Sequence, residues 1–161
     1  METLSYVCMP QKPLHLSLCV DECSLVCEGK ALRLPPALFA VYAFFVMRKS
    51  ICPANTSVCP SECHACAMTW RNIALQRSEL LHIYEQVEGK ALARGTTGIL
   101  NLSAANFRSS LSKLKKLLIQ AFGPATGARL CIASTKQKGS VAYCLRIPKM
   151  QIAVESQRCG H

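Results

Sequence analysis

A chain of 161 residues suits one domain, and half of it is apolar, enough for a core in which Leu, Ala, Ile and Val outweigh a low aromatic share. Its one long apolar run, Ala37 to Met47, is too short to cross a bilayer, and the start Met-Glu-Thr-Leu-Ser lacks the basic and apolar stretches of a signal peptide; together these predict a cytoplasmic protein with no membrane partner. The formal net charge of +10 is one-sided as well as large: no Asp or Glu lies between Glu88 and Glu155, which favours a polyanion partner, nucleic acid or an acidic protein.

Residues 1–13 read as an N-terminal extension, 14–152 as the domain and 153–161 as a tail. Leu14, Leu16, Leu18 and Val20 alternate with His15, Ser17 and Cys19, the period of a strand with one buried face. Ser24 to Cys27, the turn Glu28-Gly29-Lys30 and Ala31 to Leu34 predict a hairpin, since Gly29 accepts the positive φ of a tight turn. Pro35-Pro36 then starts a helix that is apolar nearly all round and ends at Arg48-Lys49. Residues 51–66 are a Cys-rich loop. A second helix is expected from Trp70 to Val87, with Ile73, Leu80, Leu81, Tyr84 and Val87 on one face, and 89–102 is an irregular connector. The third helix is capped by Ser103, carries the stripe Phe107, Leu111, Leu114, Leu118 and Phe122, and stops at Gly123-Pro124. Strands Arg129 to Ala133 and Val141 to Ile147 close the chain as a hairpin with Val141, Tyr143, Leu145 and Ile147 inward and a basic turn, Thr135 to Gly139.

The order hairpin, three helices, hairpin predicts an α+β winged helix-turn-helix with an N-terminal β-hairpin and a C-terminal wing hairpin. In that plan the third helix enters the major groove and the wing touches phosphates. The helix face opposite the apolar stripe carries Ser109, Ser112, Lys113, Lys116 and Gln120, flanked by Arg108 and Lys115, and the wing turn carries Lys136 and Lys138. Lysine and arginine neutralise phosphates, while serine and glutamine hydrogen-bond phosphates or base edges. The alternative is an ordinary amphipathic helix whose basic face is merely solvated.

The eleven cysteines are odd in number and irregular in spacing, which predicts reduced thiols in a reducing compartment. Cys52, Cys59, Cys63 and Cys66 form the tightest group, and such a loop could fold round a tetrahedral structural Zn²⁺, although the spacing is not that of paired Cys-x2-Cys knuckles. Cys131 and Cys144 are expected to face each other in the last hairpin, and Cys23 and Cys27 to be small core residues. A phosphate-binding loop, a dinucleotide fingerprint, a nucleophile elbow and a His-Glu-x-x-His motif are all lacking, so no catalytic residue is assigned.

Val26-Cys27-Glu28-Gly29-Lys30-Ala31-Leu32-Arg33-Leu34, the Pro-started helix, Phe107 to Leu117 and Tyr143-Cys144-Leu145 are similar to OmpR/PhoB-type winged-helix effector domains. Leu32-Arg33-Leu34-Pro35-Pro36, the Leu111-Ser112-Lys113-Leu114 helix and Tyr143 to Pro148 look like the C-terminal region of CRISPR-associated (type III) ring-nuclease and CARF-type proteins. That family also has a Rossmann-like sensor domain for cyclic oligoadenylate, which has no counterpart here, so the resemblance implies a detached C-terminal domain in antiviral defence and transfers no catalytic residue. The reading is a non-catalytic winged-helix module that binds nucleic acid. The alternatives are a structural or homodimerisation domain, a DNA-binding transcriptional regulator, and a small cysteine-dependent enzyme, which would require a Cys beside a His.

Overall fold

A computed structural model describes residues 13–52, 66–88, 102–137, 139–145, 147 and 151–155. The architecture is α+β, with two separate sheets. Strand β1 (Leu16–Cys19) leads through a 3-10 turn into β2 (Ser24–Cys27), which pairs with β3 (Lys30–Arg33). The β2–β3 turn is the expected one: Cys27 faces Lys30, and Glu28 and Gly29 take φ values of 51° and 76°, the doubly left-handed geometry of a type I′ hairpin. Strand β7 (Ile152–Glu155) lies parallel to the other side of β1, giving the order β3-β2-β1-β7. The sheet therefore extends past residue 152, where the sequence places the start of a tail.

Helix α1 (Pro36–Ser50) is the centre of the core, as its all-round apolar sequence requires. Every residue from Phe39 to Val46 is buried. The expected second helix is two: α2 (Trp70–Leu75) and α3 (Arg77–Glu88), broken at Gln76, whose N–H is shared between the Asn72 and Ile73 carbonyls. The break re-aims the apolar stripe. Ile73 stays buried, Leu75 is left 79% exposed, and Leu80, Ile83 and Tyr84 are buried.

Helix α4 (Ala104–Phe122) runs as expected, and Ser103 Oγ caps it by accepting from the Asn106 N–H at 3.1 Å. The chain does not go straight into a strand afterwards. Gly123 turns with φ 88°, and Pro124, well suited to the first position of a helix, starts α5 (Pro124–Leu130). Residues 129 and 130 are therefore helical, and the strands of the hairpin are β5 (Ile132–Gln137) and β6 (Ser140–Leu145). Gln137 faces Ser140, so the turn is centred one position later than Gln137-Lys138, and Gly139 at φ 82° permits it. Cys144 consequently faces Ala133, not Cys131, and Val141 is 44% exposed instead of inward. A short strand, β4 (Met68–Thr69), joins β6 on its other edge to complete the order β4-β6-β5.

Aromatic rings lock these parts together. The Phe107 ring of α4 stacks on Phe45 of α1, tilts against Trp70 of α2 and meets Tyr143 of β6 edge-on at 5.0 Å.

Candidate nucleic-acid interface

Helix α4 owes its orientation to its sequence. Phe107, Leu114, Leu118 and Phe122 are buried, with Leu111 half-buried between them. Burying that stripe turns Arg108, Ser109, Ser112, Lys113, Lys116 and Gln120 to solvent, and all six are exposed. Ser109, Lys113, Lys116 and Gln120 follow one another at helical spacing and make a single ridge, while Lys115 is exposed to one side. No acidic residue lies in the helix. Ser112 donates its hydroxyl proton to the Arg108 carbonyl at 3.2 Å, leaving its lone pairs facing water.

Ser109 and Lys113 also rim an open groove of about 420 Å³ shared with Pro35, Leu38 and Val41 of the α1 start and with Leu102. A cationic and hydroxyl rim over an apolar floor offers a phosphate a charge and a sugar or base a surface.

Lys136 is exposed on β5, opposite Val141, and Lys138 lies outside the described residues. The hairpin and α4 are anchored to one core through the Phe107–Tyr143 contact.

Of the expected zinc ligands, Cys59 and Cys63 lie outside the described residues. Cys52 and Cys66 are each 2% exposed and belong to a small cluster with Ala67, Ala142 and Cys144. Among the described residues no three of His, Cys, Asp or Glu are arranged to hold a metal ion. Cys23, Cys27, Cys52, Cys66, Cys131 and Cys144 are thiols, whereas Cys19 is disulfide-bonded, a departure from an all-thiol chain.

Two residues at that small cluster differ from their sequence reading. Lys49 looks like an ordinary basic residue at a helix end, yet it is 1% exposed and its Nζ lies 3.9 Å from Cys144 Sγ. A signal was present: Lys49 follows Tyr42 by two helical turns and so shares its buried face to within about 20°. The expected pairing of Cys144 with Cys131 is two residues out of register, since Cys144 faces Ala133. Cys131 instead donates its thiol to the Gly127 carbonyl at 3.0 Å, and burial pushes its pKa up, with the Lys115 ammonium opposing the shift. His82, on the exposed side of α3, lies within 3.3 Å of the Gln86 amide.

No family model, curated protein or solved structure matches the chain.

Proposed function

We propose that this protein is a non-catalytic nucleic-acid-binding module of winged-helix type, with α4 as the recognition helix and the β5–β6 hairpin as the wing. The observation that carries the reading is the outward ridge of α4: six polar or cationic side chains, no acid, and a buried apolar stripe that fixes their direction. The element order supports it as well, since α4 is followed, after the short α5, by a hairpin bearing an exposed Lys136. The defence setting implied by the CRISPR-associated resemblance rests on short motifs alone and is not part of the proposal.

Lysines that meet phosphates release counterions, so the salt dependence of binding counts them. Duplex DNA or structured RNA is expected to bind with an affinity that falls steeply as salt rises. Lys113→Ala with Lys116→Ala should reduce the slope of log K against log salt by roughly 2 if each makes one phosphate contact. Its unfolding temperature should stay near that of the parent, because both side chains are exposed. A parent that binds nothing at low salt, or a double variant with an unchanged slope, rejects the recognition-helix assignment. The basic face would then be tested as an interface between copies by sedimentation.

A further inference from the structure

From Ala142 to Leu145, strand β6 is buried on both faces. Tyr143 and Leu145 enter the main core, whereas Ala142 and Cys144 face the second cluster. Cys66, just before β4, brings its Sγ to 3.5 Å from Cys144 Sγ. Both sulfurs are thiols, and a further approach of about 1.5 Å would bring them to disulfide length. Sheet pairing holds the two backbones: Met68 faces Tyr143, so the segment carrying Cys66 runs antiparallel beside the one carrying Cys144. The Lys49 ammonium lies against Cys144, where a positive charge favours the nucleophilic thiolate. Cys144, at 9% exposed, is also the more accessible of the pair, against 2% for Cys66.

We propose that Cys66 and Cys144 form a redox-active dithiol that hydrogen peroxide converts to a disulfide, with Cys144 as the attacking sulfur and Cys66 as the resolving one. Cys144 sulfur attacks a peroxide oxygen; an S–O bond forms, the O–O bond breaks, and the departing hydroxide takes the thiol proton away as water. Cys66 sulfur then displaces the hydroxyl of the Cys144 sulfenic acid. The S–S bond forms, the S–O bond breaks, and the Cys66 proton leaves with the hydroxyl as a second water. The two thiols lose two electrons and the peroxide gains them.

The full chain, purified with reductant that is then removed, is treated with hydrogen peroxide. Beyond the change from re-forming the Cys19 disulfide, its mass should fall by a further ~2 Da, the two hydrogens lost, and peptide mapping should show a new cross-link joining the segments holding Cys66 and Cys144. In Cys66→Ser the reaction should stop at a sulfenic acid on Cys144 that dimedone traps, while Cys144→Ser should give no dimedone adduct at Cys66. Lys49→Met should slow oxidation by roughly tenfold or more, and Lys49→Arg, which keeps the charge if the methionine variant does not fold, should stay close to the parent rate. The proposal fails if both thiols remain open to alkylation after peroxide, if the cross-link joins other cysteines, if the sulfenic acid forms on Cys66, or if the purified chain carries stoichiometric zinc that protects both.

Discussion

Tyr42 is fully buried in α1, and its hydroxyl donates to the Leu130 carbonyl at the end of α5 at 2.8 Å. That bond satisfies a carbonyl that the end of the helix leaves without an intrahelical partner. Tyr42→Phe should therefore cost about 1–2 kcal/mol of stability in denaturant unfolding. Burial also pushes the Tyr42 phenol well above its usual range, and thiolate charge at Cys131 and Cys27 would push in the same direction. Those two thiols are themselves raised, chiefly by burial. A group whose folded pKa is raised binds its proton more tightly in the native state. Its stabilisation is complete below the unfolded pKa and is lost as pH rises toward the folded one. The unfolding temperature should accordingly fall as pH climbs from about 8 to about 11, first from the thiols and then from the phenol, and in Tyr42→Phe the later part of that fall should be missing.

Helices α4 and α5 meet at Gly127. A Cβ there would lie 2.6 Å from the Ile119 Cα and 2.8 Å from the Leu118 carbonyl oxygen, contacts with backbone that no rotamer change can relieve. Gly127→Ala should cost about 2–3 kcal/mol by separating the two helices, against the small gain in helix propensity that alanine normally brings. Thermal unfolding of the variant beside Ala128→Gly, a control on the exposed side of the same helix, would separate the clash from propensity. This element also shows what local sequence could and could not foretell. Helix α4 was legible because its cap, stripe and stop signal all lie within it, and the β2–β3 turn because Glu28-Gly29 carries its own geometry. Helix α5 was not, because Gly123-Pro124 ends one helix and begins the next, and only the outcome distinguishes a stop from a restart. The last hairpin came out one residue off because Gly139 could close either a five-residue turn or a two-residue one. The site followed the same division: the outward face of α4 could be read from periodicity, whereas the Lys49–Cys144–Cys66 group depends on contacts between distant segments.

Across the whole molecule the first and last described strands are neighbours. Strand β7 lies parallel to β1, and the Gln151 side chain accepts the Leu14 N–H, 137 residues away, at 3.2 Å. A variant lacking residues 151–161 should leave one edge of β1 unpaired and lower stability by several kcal/mol, seen as a reduced denaturant midpoint. It should also lower the m-value if part of the sheet unfolds with it. The same pairing sets a timetable for biosynthesis. Strand β1 leaves the ribosome well before β7, whose first residue, Ile152, follows Cys19 by about 130 positions, so at about 5–20 residues per second the sheet edge waits roughly 7–27 s for its closing strand. During that interval Leu16 and Leu18, both buried in the finished protein, belong to a strand with an unpaired side, the kind of surface that chaperones hold and that aggregation exploits.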